Sequence, residues 1–293
     1  MEKTVMGYAK INLHLDVTGI MADGYHSVET VMQSLSLCDE VTVLLTEDRT
    51  VCAKCNRDQV PSDERNIAVR AARLYLDEVE SKSGAVIKIN KRIPMAAGLA
   101  GGSADAAATL LALNELFDGA VEHDRLLEIG ASLGADVPFC IACGTKYSDG
   151  RGDRLQSFPS LDEKVIFVVA CGGEGVSTPW GYRLLDESFD RFQNYTPVGC
   201  EQLKNAISDR EKLCFTDFLF NIFEKPVFAE RPVAKMIAEM MLESRAKAAR
   251  MSGSGPSVFG VFDSADAAEH AVKAISDAGY FATVCSPVAE RNK

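Results

Sequence analysis

Residues 93–108 read I-P-M-A-A-G-L-A-G-G-S-A-D-A-A-A. Three glycines, Gly98, Gly101 and Gly102, fall within five residues. They stand directly before an Ala/Leu-rich stretch, Ser103 to Phe117, that reads as a helix. Glycine lets the backbone turn through positive φ and lets a ligand come close to the amides. The start of a helix adds unpaired N–H groups and a partial positive charge. Together these predict a backbone anion site, for which phosphate is the usual guest. The same glycines suit a tight turn packed on neighbouring backbone equally well.

The commoner phosphate-handling motifs are missing. There is no G-x-x-x-x-G-K-[ST] segment, no G-x-G-x-x-G after the first strand, and no H-R-D or D-F-G pair. G-G-S-A-D around Ser103 lacks the closing glycine of a hydrolase nucleophile elbow, and H-E-x-x-H is absent. Charge points the same way as the glycines. With 31 Lys plus Arg against 42 Asp plus Glu, the net charge is −11. A nucleic-acid binder usually carries the opposite balance, so phosphate is expected in a local site and nucleic acid is not expected as a partner.

The chain has 293 residues, 47% apolar and 25% charged, within the ordinary globular range. The N-terminus lacks the apolar stretch of a secretory signal, and no run of 18 or more apolar residues is long enough for a membrane span. Nine cysteines are too few and too scattered for a disulfide scaffold. Cys52-x-x-Cys55 and Cys140-x-x-Cys143 have 84 residues between them, far beyond compact zinc spacing. Cys140 and Cys143 lie in an apolar segment and read as core residues. The expectation is a reduced, cytoplasmic protein with no membrane partner.

Ile11, Leu13, Leu15 and Val17 alternate with Lys10, Asn12, His14 and Asp16, which predicts a half-buried strand with one polar face. Further strands are expected at Val41–Leu45, Ala85–Asn90, Val165–Ala170, Val258–Phe262 and Tyr280–Cys285. Helices are expected at Glu64–Lys82, Ser103–Phe117, Asp124–Leu133, Cys200–Ile207, Phe215–Phe223, Pro232–Lys247 and Ala265–Ala278. Gly172–Pro179 reads as a loop, and Gly253–Gly255 as the turn of a hairpin. Mixed strands and helices in both halves give an α+β class. Length suggests two domains, 1–152 and 153–293, meeting at the Gly/Asp/Arg cluster Ser148–Arg154, which reads as a linker or turn.

Three segments in this order resemble the motifs of the GHMP kinases. Ala9-Lys10-Ile11-Asn12-Leu13 resembles the first, Pro94-x-x-x-Gly98-Leu99-Ala100-Gly101-Gly102-Ser103 the central phosphate motif, and Met251 to Phe259 the C-terminal glycine-rich motif. Asp23-Gly24-Tyr25-His26, Asn66-Ile67, Gly134-Ala135-Asp136-Val137-Pro138 and Gly175-Val176-Ser177-Thr178 resemble the branch that phosphorylates a cytidine-diphosphate-linked polyol in isoprenoid-precursor synthesis. The resemblance implies a ribosomal-protein-S5-domain-2-like N-terminal domain, a ferredoxin-like C-terminal domain, and ATP with Mg²⁺ as donor. Two positions depart from the pattern: Met21 stands where many relatives carry Arg, and Ala104 where many carry a second Ser.

The resemblance also implies roles. Asp136 would be the general base, although an Asp at a turn before a short helix is commonly a cap. Lys10 would stand beside it, favouring its ionised form and stabilising the nucleophilic oxygen. The plainer reading of Lys10 is a solvated strand lysine. Pro94, Met95, Ala96, Ala97, Gly98, Leu99, Ala100, Gly101, Gly102, Ser103 and Ala104 would hold the nucleotide phosphates, with Asn66 on the adenosine side. Ser103 would bind phosphate or Mg²⁺, cap its helix, or both, and Asp105 in the first turn would complement the helix dipole. Asn12, Tyr25, His26, Thr178 and Tyr182 would bind the acceptor, the aromatics taking its base. Thr178, Pro179 and Tyr182 are expected in a loop, with Trp180 nearby. The partners expected are small molecules, and the chain a monomer or weak homodimer. A GHMP kinase for mevalonate, homoserine or a sugar stays open, as does a non-catalytic nucleotide binder.

Overall fold

The computed structural model describes residues 1–152, 154–192, 195–209 and 213–291. Strand β1 (Glu2–Ile20) pairs antiparallel with β2 (His26–Thr46). A tight turn at 21–25 joins them, with Gly24 N–H donating to Met21 O at 2.9 Å. The strand predicted from alternation is present, but it has no single polar face: a bulge between Asn12 and His14 puts Lys10 and Asn12 on one side and His14 and Asp16 on the other, and neither pair faces water. Lys10 and Asn12 are each 4% exposed, and His14 and Asp16 are 0% exposed. Ile11 and Leu13 pack in one core cluster and Leu15 and Val17 in another, and later parts of the chain cover the polar residues. Buried polar groups must then find partners: Asp16 accepts from the Tyr195 hydroxyl and the Val198 N–H, both at 2.7 Å.

β3 (Val51–Cys55), helix α1 (Ile67–Glu78), β4 (Gly84–Asn90), α2 (Gly101–Leu116), α3 (His123–Leu133), α4 (Val137–Ala142), β5 (Thr145–Gly150) and β6 (Arg154–Ser157) follow. The expected linker is a turn of a hairpin, because β5 pairs with β6 and also with β2. Asp153, where the second domain was expected to start, lies outside the described residues. Alanines of α1 and α2 bury against the sheet, which lets both helices approach it closely.

β7 (Ile166–Cys171), α5 (Thr178–Ser188), α6 (Glu201–Ser208), β8 (Phe220–Asn221), α7 (Glu224–Glu230), α8 (Pro232–Glu243), β9 (Ala248–Met251), β10 (Val258–Phe262), α9 (Ala265–Asp277) and β11 (Phe281–Cys285) complete the chain. The first sheet has the order β3-β4-β2-β1-β8, with β5 and β6 branching from β2. The second has the order β11-β7-β10-β9. Val168, Val258 and Phe262 on one of its faces meet Ile237, Met241 and Ile275 of α8 and α9. Phe167, Val169, Phe259 and Val261 on the other face join the core of the first sheet. Among the described residues, no helix is long and apolar enough to cross a membrane.

Two local expectations are corrected. Phe215–Phe223 is not one helix: a 3₁₀ turn covers Cys214–Phe218, and Phe220–Asn221 then pairs with β1. Tertiary contacts outweigh helix propensity there, because the Asn221 amide donates to Met251 O at 2.6 Å and to Gly253 O at 2.9 Å. The loop expected at Thr178–Tyr182 is the first turn and a half of α5. Pro179 sits in that first turn, where its missing N–H costs no hydrogen bond.

Candidate active site

A cavity of about 920 Å³ opens between β1, the 94–103 loop, the start of α4, the start of α5 and the β9–β10 hairpin. It falls within the size range of small-molecule sites. At its centre, Lys10 Nζ donates to Asn12 Oδ1 at 2.8 Å and lies 3.9 Å from Asp136 Oδ2. Asp136 occupies the N-cap position of α4 but makes no side-chain cap bond. Its carboxylate, 38% exposed, faces the cavity beside a nearly buried ammonium. Lys10 is therefore not the solvated lysine of the plainer reading.

Asn12 lines the cavity but is held at both ends by the chain itself. Its oxygen also accepts from Gly253 N–H at 2.9 Å, and its nitrogen donates to Thr30 Oγ1 at 2.8 Å. One amide thus fixes Lys10 and ties β1 to the β9–β10 hairpin.

Residues Pro94 through Ser103 line the same cavity. The packed-turn reading of the glycines holds at Gly98. Gly98 has φ of +75°, and a Cβ there would meet Ser252 O at 2.3 Å. Ser252 Oγ donates to Gly98 O at 3.0 Å, so the central motif is packed backbone against backbone on the C-terminal one. Gly102 is the reverse case: an added Cβ would meet only Ile67 Cγ2, at 3.6 Å. The first bond of α2 runs from Ala104 N–H to Ala100 O at 2.9 Å. The amides of Gly101, Gly102 and Ser103 therefore precede the helical ladder.

Ser103 is the third residue of α2, not its cap. Ala100 holds the cap position, in the left-handed region. Ala104 is fully buried toward β1 and does not line the cavity. Asn66 lines it and also caps α1, accepting from Ala68 N–H at 2.9 Å.

Asp105 is not a surface complement to the helix dipole. It is 3% exposed, and its Oδ2 accepts from Lys91 Nζ at 2.7 Å. Lys91 Nζ also donates to Asp39 Oδ2 at 2.6 Å. Burial first, and then the Asp39 carboxylate, push the Asp105 carboxyl up to about 7 despite the ammonium. Asp39 Oδ1 accepts the Arg92 and Ile93 N–H groups at 2.5 and 2.8 Å. The cluster thereby anchors the residues that lead into the 94–103 loop.

The far end of the cavity is aromatic. Tyr25 is 60% exposed and lines it. The His26 ring stacks on Tyr182, centroids 4.5 Å apart at 27°, and Tyr182 stands edge-on to Phe223 at 5.1 Å. Burial pushes the Tyr182 hydroxyl up to about 12. His26 Nε2 lies 2.8 Å from Asp186 Oδ1. An ionised carboxylate only accepts, so Nε2 carries the hydrogen and Nδ1 remains for a ligand. Thr178 and Pro179 line this end, whereas Trp180 lies under the Arg231 guanidinium at 4.7 Å.

Asp186 and Arg151 at this end, and Lys91 and Asp39 at the other, were not singled out from sequence. Asp186 is four residues after Tyr182, so reading α5 as a helix would have placed both on one face.

The chain was compared with known proteins. A family model described as GHMP kinases N terminal domain matches residues 66–144, and one described as GHMP kinases C terminal matches 186–280. A protein of Acetivibrio thermocellus, 4-diphosphocytidyl-2-C-methyl-D-erythritol kinase, is 42% identical over 264 residues, 89% of this chain and 90% of its own. A protein of the same name from Clostridium novyi is 40% identical over 257 residues, 87% of this chain and 89% of its own. A crystal structure of 4-(cytidine 5'-diphospho)-2C-methyl-D-erythritol kinase superimposes with a TM-score of 0.77 at 32% identity, covering 98% of this chain and 99% of that one.

Proposed function

Because the chain belongs to the GHMP kinases, we propose that it transfers the γ-phosphoryl group of ATP to the 2-hydroxyl of 4-diphosphocytidyl-2-C-methyl-D-erythritol, a step toward isoprenoid precursors. One observation carries this reading: a single cavity joins a phosphate loop, a Lys–Asp pair and an aromatic pocket.

Phosphoryl transfer asks the protein for positioning and charge stabilisation more than for covalent chemistry. The Asp136 carboxylate accepts the proton of the attacking hydroxyl. Lys10 stabilises the oxygen as it gains charge, held in place by Asn12. The amides of Gly101, Gly102 and Ser103 receive the donor phosphates at the start of α2. Bound beside them, Mg²⁺ would neutralise charge on those phosphates. It typically keeps several waters and takes few protein oxygens, a demand that the Ser103 hydroxyl fits. Tyr25 and Tyr182 offer π faces to the base, and His26 Nδ1 accepts from its polar edge. In this reading residues 1–152 carry the phosphate loop and the Lys10–Asp136 pair. Residues 153–293 add α5 and the hairpin that closes on Asn12.

The test is Mg²⁺-dependent ADP release with 4-diphosphocytidyl-2-C-methyl-D-erythritol, mevalonate, homoserine and galactose. Turnover is expected with the cytidyl compound only. Turnover with another acceptor would keep the fold and overturn the reading of the aromatic end. ATP binding with no turnover on any acceptor would favour a non-catalytic role.

Tyr182→Ala is expected to raise KM for the cytidyl acceptor about tenfold, the scale of one base–aromatic stack. KM for ATP should stay within about twofold, because α5 lies at the other end of the cavity from α2. Equal effects on both would remove α5 from the base pocket.

A further inference from the structure

We propose that Arg151 binds the diphosphate of the acceptor, an inference that rests on the cytidyl reading above. That acceptor has to reach from the aromatic end of the cavity to Asp136. Its diphosphate follows directly after the base and sugar, so it lies on the aromatic side of the reacting hydroxyl. Such a group calls for a cation there.

Among the described residues, Lys10, Arg65, Lys91 and Arg151 are the lysines and arginines that line the cavity. Lys10 is held beside Asp136 by Asn12. Lys91 is buried between two carboxylates. Arg65 lies next to Asn66, at the start of α1, and grips Asp63 with two guanidinium nitrogens. Arg151 alone of the four stands at the aromatic end. Its guanidinium carbon lies 4.5 Å above the Tyr25 ring.

The acidic groups at this end sharpen the need. Asp186 holds His26, and Asp23 lies in the turn that presents Tyr25. The 21–25 turn carries no basic side chain of its own, since residue 21 is Met. Without Arg151, a diphosphate would enter a wall that, among the described residues, has two carboxylates and no lysine or arginine.

The β5–β6 turn is built to present this side chain. Gly150 and Gly152 flank Arg151 at φ of +66° and +89°, conformations that favour glycine. Gly152 N–H closes the turn on Asp149 O at 3.0 Å. Arg151 pairs with Asp23, and both side chains are about half exposed, 49% and 46%. Exposed ion pairs hold weakly, so the guanidinium can turn from Asp23 to a phosphate. Its planar fork matches two phosphate oxygens at once.

The experiment measures the affinity of wild-type, Arg151→Met and Arg151→Lys proteins for cytidine, CDP and the full acceptor. Wild type should bind CDP more tightly than cytidine. Arg151→Met should weaken CDP and the acceptor by about 10- to 100-fold, the range for a lost charge-assisted contact. Cytidine affinity should move less than about twofold, because no phosphate is present to lose the contact. Arg151→Lys should fall between the two, keeping charge but losing the fork. In turnover the loss should appear in KM for the acceptor and not in KM for ATP.

Unchanged CDP affinity in Arg151→Met would overturn the assignment while leaving the cytidyl reading intact. Equal losses for cytidine and CDP would also overturn it, since Arg151 would then act by shaping Tyr25. Failure of the wild type to bind cytidine or CDP would overturn the cytidyl reading itself, and this inference with it.

Discussion

Asp136→Asn is expected to lower kcat by about 10²- to 10⁴-fold, the usual contribution of a positioned proton acceptor. KM for ATP and for the cytidyl acceptor should change little. Asn keeps the size and polarity of the side chain but cannot take up the hydroxyl proton at neutral pH. The aromatic pocket and the loop before α2 do not depend on it. Lys10 is the control for whether the pair acts as a unit. It lies 3.9 Å from Asp136 Oδ2 and donates to Asn12, so Lys10→Met should also lower kcat. The double variant should fall well short of the product of the two single losses, because residues that act together are not additive. Single-turnover rates of phosphoryl transfer make the measurement. A near-normal rate in Asp136→Asn would remove Asp136 from proton transfer, and fully multiplicative losses would separate it from Lys10.

The parts of this site that could be read from sequence are those written in local backbone. Gly98, Gly101 and Gly102 announce a loop that a helix follows, and three separated motifs carry the family resemblance. Strand β1 was legible from its alternation, yet its environment was not. A period of two says that a strand has two faces and does not say what covers each. Past the bulge between Asn12 and His14 the two ends are covered differently: Gly253 of the β9–β10 hairpin reaches Asn12, and Tyr195 and Val198 reach Asp16. The same limit explains Asp105. Its place near the start of a helix suggested a dipole partner, whereas Lys91 reaches it from just after β4 and Asp39 from the middle of β2. Asp186 and Arg151 were hidden for a related reason. A carboxylate on an amphipathic helix and an arginine in a hairpin turn look like ordinary surface charge until the fold brings His26 and Tyr25 beside them. In Phe215–Phe223 the helical pattern lost to the bonds that Asn221 makes with the C-terminal hairpin.

Lys91→Met should be the most destabilising of the substitutions considered, by about 3–5 kcal/mol, the usual effect of removing one partner from a buried ion pair. The ammonium is 5% exposed, and the two carboxylates it bridges are 0% and 4% exposed. Methionine fills the stem's volume but leaves two carboxylates facing each other away from water. The sign of the pH effect follows from Asp105. Its carboxyl is held up to about 7, against an ordinary value of 3.8. Between those values the folded protein keeps a proton that the unfolded chain has released. Stability from this group is therefore full below about pH 4 and is lost as pH rises toward about 7. Without the ammonium the proton is held more tightly still, so the window extends upward. The deficit of Lys91→Met should be larger at pH 8 than at pH 5, as read by urea unfolding at both. Asp105→Asn removes the second charge. Alone, it should flatten the pH dependence between about 4 and 7 relative to wild type, while other titrating groups, His14 among them, cancel in the comparison. Added to Lys91→Met, it should recover much of the loss at pH 8. The same variants should raise KM for ATP, because Asp39 anchors the Arg92 and Ile93 amides that lead into the phosphate loop. A deficit below about 1 kcal/mol, the range of exposed pairs, or one equal at both pH values, would mean that water reaches the cluster and that it does not govern the loop.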